Sequence, residues 1–459
     1  MPVPLVKASS EGPFLLLQDF WYTTLMGTPV QLQPPLKEDV KTDILIVGAG
    51  AAGLAAALRL MDTGLDVTLV DRSICGGSST GKSAGFLTPD SELELSQILR
   101  RYGPNGARDL WECAQWGVDR MVNAIRDYRI EADLLKQDSL FLGEGPKGQH
   151  EVDLELAARR SMGYEVQGFT EPELQSIIGA VGFTGAVRYK QTYGVNALRY
   201  AQGVKKILAD HGVHVHESTE AIGLRDHTVT THLGSVTAEN IIFTADKLQR
   251  SLSRHFWNCY YAQTFLAISE PLRTGEVKAM FPIDPFLCWD SHFIYAYWRL
   301  TGDNRILLGG GSLWTTYAKN DTWTARIIDR VIHRFREHWP SVRNVHFRQF
   351  WMGRIDMTRD LMPTVLREPK MPWIHYVLGC VGLPWATFCG DFAARHVLAD
   401  QTQDDQRFYR YFGIERGFAV PLWAEKILGK RIAFVLNQAY AKYRQVDANN
   451  RFLGPPGAF

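Results

Sequence analysis

No cysteine pair in this sequence stands at metal-binding or redox spacing. Cys75, Cys113, Cys259, Cys288, Cys380 and Cys389 are scattered, no CxxC occurs, and the histidines do not cluster at ligand intervals, which argues against a metal centre. The chain also lacks an apolar run of about 18 residues. Its opening MPVPLVKASSEGPFLLLQDFW has neither the charged start, the long apolar core nor the small-residue cleavage site of a secretory signal. A cytoplasmic protein with reduced thiols and no integral membrane segment is expected. A charge surplus is missing too, since 50 Lys plus Arg stand against 49 Asp plus Glu. That removes the general basic field that attracts nucleic acid, so no nucleic-acid partner is expected. No internal repeat is visible.

What is present is 459 residues, 46% of them hydrophobic, enough for two or three lobes with buried cores. Residues 1–40 show no sustained period and read as an arm on the body. From Asp43 the order changes. Ile44-Leu45-Ile46-Val47 is a β-branched apolar run, Gly48-Ala49-Gly50-Ala51-Ala52-Gly53 follows, helix formers run from Leu54 to Met61, and Val67-Thr68-Leu69-Val70 closes on Asp71. The reading is strand, glycine turn, helix, strand. The spacing Gly48-x-Gly50-x-x-Gly53 with an acid ending the second strand is a dinucleotide fingerprint in its proper setting. Gly48 allows the tight turn, Gly50 lets backbone approach a pyrophosphate, Gly53 lets helix and strand pack, and Asp71 accepts ribose hydroxyls. The acid argues against a 2′-phosphate and hence against NADP.

Farther on, residues 91–190 are rich in helical spacing with turn signals at 143–146, and Ala197 to Asp210 reads as a helix. Short runs from Tyr260 to Gly310 read as an antiparallel sheet, 324–338 as an amphipathic helix ended by Pro340, 373–378 as a strand and 391–398 as a helix. In the basic, aromatic tail, Ile427, Leu428, Ile432 and Val435 supply an inward stripe, so a helix docked on the body is expected there.

The loop after Asp71 separates FAD from NAD. Thr80-Gly81-Lys82-Ser83-Ala84-Gly85 resembles the flavin-contacting S-G-R-N-G-G loop of the D-amino-acid oxidase and glycine oxidase superfamily, with Lys82 where Arg is usual. Ala267-Ile268-Ser269-Glu270-Pro271-Leu272 looks like the family's A-T-E-P-L strand end. The hairpin from Tyr297-Trp298-Arg299 to Gly309-Gly310-Gly311 resembles that of the γ-glutamylputrescine oxidase branch. Trp351-Met352-Gly353-Arg354-Ile355 is similar to its W-x-G-x-I strand, and Asp19-Phe20-Trp21-Tyr22 to an aromatic motif upstream of the fingerprint. The resemblance covers roughly residues 18–400. Two segments depart from it. Cys380-Val381-Gly382-Leu383-Pro384-Trp385 replaces G-G-H-G, and Pro384 offers no amide hydrogen; Thr244-Ala245-Asp246 replaces A-T-G.

The resemblance implies an α/β fold of the glutathione-reductase type: a Rossmann-like FAD-binding domain (41–100, 190–255 and 345–400) plus an α+β substrate domain with an antiparallel sheet (101–189 and 256–344). The arm 1–40 and a helical extension 401–459 complete the chain. It implies noncovalent FAD, because Arg354-Ile355-Asp356-Met357 has no thiol where some relatives attach flavin. It also implies oxidation of a C–N bond of a small-molecule amine or amino acid by hydride transfer to flavin, with hydrolysis of the imine and return of the electrons to oxygen or another acceptor. Transfer to a quinone or carrier, and a flavin-binding scaffold without turnover, are the alternatives. Expected cofactor contacts are Gly48, Gly50, Ala52, Gly53, Asp71, Arg72, Ser79, Thr80, Gly81, Lys82, Ser83, Ala84, Ala221, Gly353, Gly382, Leu383 and Trp385. Lys82 is expected to place a cation beside the flavin and Arg299 to hold a substrate carboxylate. Arg354 and Trp351 are expected to line the pocket, and His292, Tyr295 and Tyr297 to form an aromatic wall.

Overall fold

A computed structural model describes residues 5–7, 14–28, 30–90, 92–246, 248–253, 255, 259–313, 324–399, 403–413 and 420–443. The fingerprint forms strand Val40–Val47 (β1), helix Ala51–Leu60 (α1) and strand Val67–Val70 (β2). A long helix, Leu95–Asp127 (α2), follows, kinked at Gly103, where φ is +70° just before Pro104. The chain continues through strands Ser139–Glu144 (β3) and Phe183–Tyr189 (β4), helix Ala197–Asp210 (α3), and strands His214–His216 (β5) and Ser235–Phe243 (β6). Then come Cys259–Pro271 (β7), Leu287–Asp290 (β8), Tyr297–Leu300 (β9), Arg305–Gly310 (β10), Phe347–Thr358 (β11) and Ile374–Leu378 (β12). The last elements used below are helices Leu383–Val397 (α4) and Lys430–Tyr443 (α5).

The strands sort into two main sheets. In the first, β5, β2, β1, β6 and β12 lie side by side, each parallel to the next. All four residues of β2, and the last four of β1, are buried, as expected of strands covered on both faces. The second is a ten-stranded sheet in which β11, β7, β10, β9, β8, β3 and β4 follow one another. It is mixed rather than purely antiparallel, because β8 runs parallel to β3 and β11 runs parallel to the arm strand Phe14–Leu17. The largest core draws on both sheets, and a second lies within the ten-stranded one. Ile46, Leu54, Leu69, Val118 and Phe392 share one cluster, while Phe265, Trp298, Trp339 and Phe350 share another.

Several expectations shift. β11 falls in the segment 345–400 assigned to the cofactor-binding part, yet it pairs along most of its length with β7 in the ten-stranded sheet. A long-range pairing outweighed proximity in sequence. α4 starts at Leu383 rather than near residue 391; Gly382, at φ +92°, turns the chain into it and Pro384 sits in the first turn. The tail's inward stripe is different as well. Ile427, Leu428 and Ile432 are exposed, whereas Ala433, Phe434 and Ala441 are buried, with Phe434 stacked on Tyr260. Helical phase, not hydrophobicity alone, chose the buried face. No helix among the described residues is long and apolar enough to cross a membrane.

Candidate active site and cofactor cradle

The glycine turn is shaped by close approaches. Gly48 has φ +107°, and a Cβ there would lie 2.8 Å from Ala245 N; a Cβ on Gly53 would lie 1.8 Å from Gly48 O. Gly50 is different: its Cβ would meet only Thr80 Oγ1, at 3.2 Å. That hydroxyl accepts the Ala51 N–H at 2.9 Å, and the carboxylate of Asp71 accepts the N–H groups of Ala49 (2.7 Å) and Ser73 (2.8 Å). Burial holds the Asp71 carboxyl above its ordinary range. Around this turn lies a cavity of about 150 Å³, lined by Gly48, Gly50, Ala52, Asp71, Arg72 and Ala221, among others. The departure at Asp246 falls on its wall. Asp246 accepts a hydrogen bond from Ser79 and lies 3.9 Å from the Arg72 guanidinium.

A second cavity, of about 260 Å³, adjoins the first, since Ser79 and Ile355 line both. Lys82, Ser83, Ala84, Gly353, Gly382 and Leu383 form one side of it. The loop carrying Lys82 is held from behind. Gly76 N–H donates to Ala49 O (2.8 Å) and Gly81 N–H to Gly76 O (2.7 Å). Trp21 Nε1 donates to Ser83 O (2.8 Å) and Trp351 Nε1 to Lys82 O (3.1 Å). Arg299 Nε donates to Ala84 O (2.7 Å) and its Nη2 to Val195 O (2.8 Å). The alternation of β11 turns Gly353, Ile355 and Met357 towards the cavity.

Apart from Gln438 and Lys442, the residues lining these two cavities lie within the match to one protein family, FAD dependent oxidoreductase (DAO), which spans residues 43–396. The chain belongs to this family. Escherichia coli gamma-glutamylputrescine oxidoreductase is 25% identical over 388 residues, covering 81% of this chain and 86% of that one. The probable oxidoreductase OrdL of Haemophilus influenzae is 24% identical over 394 residues, covering 83% and 88%. Glycine oxidase from Geobacillus kaustophilus has a similar fold, with a TM-score of 0.69 at 18% identity over 79% of this chain and 96% of that one. L-proline dehydrogenase from P. horikoshii gives 0.65 at 17%, over 82% and 99%. The protein is therefore an enzyme, an FAD-dependent oxidoreductase with a mixed α/β fold.

The cradle suits the ADP half of FAD in this oxidoreductase, because its glycines bring bare backbone to the cavity at the start of α1. Of the expected contacts, Thr80 and Gly81 shape the loop: a Cβ on Gly81 would lie 2.3 Å from Gly76 O. Trp385 does not line either cavity; it is buried against Phe412. The four expected catalytic residues separate. Lys82 faces the larger cavity. Arg299 does not, because its buried guanidinium is committed to backbone carbonyls, and burial lowers its pKa to about 10. Trp351 is likewise buried as a brace for the loop. Arg354 lies at the opposite phase of β11 to the cavity-lining residues, and its carbonyl accepts from Ser79 at 2.8 Å. His292, Tyr295 and Tyr297 do line the cavity, although His292 and Tyr295 sit in a loop rather than on a strand.

The sequence reading missed the other side of the cavity. Asp90, Glu92 and Glu94 enter it from the segment before α2, Trp289 from β8, and Gln438 and Lys442 from α5. Tyr295 donates to Glu92 (3.0 Å), while Trp289 Nε1 (2.9 Å) and Tyr189 donate to Glu94. Burial is the leading cause that raises the carboxyl of Asp90 to about 7 and that of Glu94 to about 8. The one visible signal was the acid density of Thr88-Pro89-Asp90-Ser91-Glu92-Leu93-Glu94, which reads equally well as a solvated helix entry.

Proposed function

We propose that the chain oxidises a C–N bond of a small amine or amino acid, on a fold of the glutathione-reductase type with FAD held noncovalently. The supporting observation is that the two cavities adjoin, with Ser79 and Ile355 lining both. One extended cofactor can lie with its diphosphate at the glycine turn and its ring beside Lys82, Gly353 and the start of α4. FAD supplies the two-electron acceptor for a hydride from the carbon bearing nitrogen, and water hydrolyses the resulting imine to a carbonyl compound and an amine or ammonia. The chain's own groups orient and shield. Tyr295, Tyr297 and Trp289 wall off the substrate side, and the Lys82 ammonium offers positive charge where the reduced cofactor carries negative charge.

Pro384 does not favour a scaffold without turnover. Placed in the first turn of α4, its missing N–H is one that has no intrahelical partner in any case. The test is anaerobic mixing of the yellow protein with primary amines, N-methyl amino acids, D-amino acids and γ-glutamyl amines. Bleaching by at least one class is expected, and recovery of colour on admitting air marks an oxidase, whereas persistent bleaching marks a dehydrogenase. Yellow protein that none of these reduces overturns the reading.

A further inference from the structure

We infer that the acidic end of the larger cavity binds a second, non-reacting ammonium group, making the substrate a diamine or polyamine. This rests on the reading above that the chain oxidises an amine, and narrows it. Asp90 lines the cavity with only 9% of its surface exposed, and its Oδ1 has no hydrogen-bond partner. A buried carboxylate oxygen without a donor is costly unless a ligand supplies one.

Two further observations specify that donor as a cation. The first is a protein ammonium already housed there: Lys442 Nζ lies 5.3 Å from the ring centroid of Phe293 and 5.7 Å from that of Tyr295, and its charge acts on Glu92. Aromatic faces and a carboxylate thus already solvate an ammonium at this end of the cavity. The second is the charge balance. Asp290 is paired with Arg334, and Glu155, behind the cavity, with Arg159, whose charge also reaches Asp90 and Glu94, but no cation is paired directly with either of these two acids among the described residues of the cavity wall. No arginine lies among the described residues lining the cavity, and Arg299 is spent on carbonyls. A free substrate carboxylate therefore meets no guanidinium fork among the described lining residues.

The test uses the FAD-loaded protein and two readouts. Calorimetry with a bis-trimethylammonium alkane, which has no oxidisable neutral amine, reads binding alone. It is expected to bind at least about tenfold more tightly than the monoammonium of equal chain length, a difference of about 1.4 kcal/mol. Asp90→Asn is expected to erase that preference and Lys442→Gln, which removes the resident ammonium, to increase it. Anaerobic bleaching then compares diamines with monoamines and amino acids. Equal binding of the dication and the monocation, or a preference unchanged in both variants, overturns the inference. Bleaching by amino acids but not by diamines also overturns it and leaves the amine-oxidising reading standing, whereas bleaching by nothing removes both.

Discussion

Gly50 and Gly53 look interchangeable in the fingerprint, but their surroundings differ. A Cβ on Gly53 would overlap Gly48 O, so Gly53→Ala has to open the turn, whereas at Gly50 only the Thr80 hydroxyl, 3.2 Å from a Cβ, has to give. Gly50→Leu is therefore expected to fold with an unchanged circular dichroism spectrum yet come off the column colourless, while Gly53→Ala should lose both FAD and about 2 kcal/mol or more of stability, as overpacking does. Yellow Gly50→Leu protein would refute the diphosphate assignment. The acids opposite carry a pH signature. Burial, and for Glu94 the neighbouring Asp90 and Glu155, raises two carboxyls above their unfolded values, to about 7 and about 8. Folded protein then binds more protons than unfolded, so this contribution is fully present below the unfolded carboxylate pKa and is lost as pH rises through about 7 and 8. Facing them are Glu92, Tyr189, Trp289, Tyr295 and Lys442, with the Arg159–Glu155 pair behind. Thermal melting should fall from about pH 4, the unfolded carboxylate range, to about pH 8 and level off above it, and Asp90→Asn should flatten that fall; a parallel decline in wild type and variant would show that Asp90 does not titrate there.

At the scale of elements, the cofactor loop is a suspended segment whose conformation depends on distant parts. The short helix Phe20–Thr23 sends Trp21 to Ser83 O (2.8 Å) and Tyr22 to Gly77 O (3.0 Å), while β11 and β9 contribute Trp351 and Arg299. This is why Arg299 and Trp351 were recognisable in sequence as belonging to the site yet not as braces: residue type showed that they mattered near the loop, but hydrogen-bond partners that far along the chain leave no periodic trace. Glu94 and Glu92, visible only as acid density, could not be placed in the site for the same reason. Their partners Trp289 and Tyr295 stand 195 and 203 positions away. The arm's bracing makes a separate prediction. Trp21→Ala removes a nearly fully buried indole and the Ser83 hydrogen bond, at a cost of about 3–5 kcal/mol. Part of that loss should appear as weaker FAD retention on dilution, followed by flavin fluorescence, with Trp21→Phe showing less packing loss but the same missing hydrogen bond. Retention equal to wild type in both would mean that the arm does not hold the loop.

Across the whole molecule, what could be read in sequence was what is local. β1, α1 and β2 close within some thirty residues, and their apolar runs and glycine spacing specify the unit without outside help. The ten-stranded sheet was legible only as short strands, because β7 pairs with β11 and β3 with β8 across long stretches of chain that no local pattern records. The largest core cluster joins the two sheets, and the cavities between the glycine turn and α5 draw residues from both. FAD held there, as proposed, would tie the parallel sheet to the larger one, so its binding energy would add to the stability of the folded whole. By mass action, FAD at a hundred times its Kd contributes about 2.7 kcal/mol to a native state that alone binds it. Protein stripped of FAD should melt at lower temperature, and adding the cofactor back should raise the transition in a concentration-dependent way. Gly50→Leu should melt near the stripped wild type and fail to respond. A stripped protein that melts where the yellow protein does would place the cofactor outside this junction.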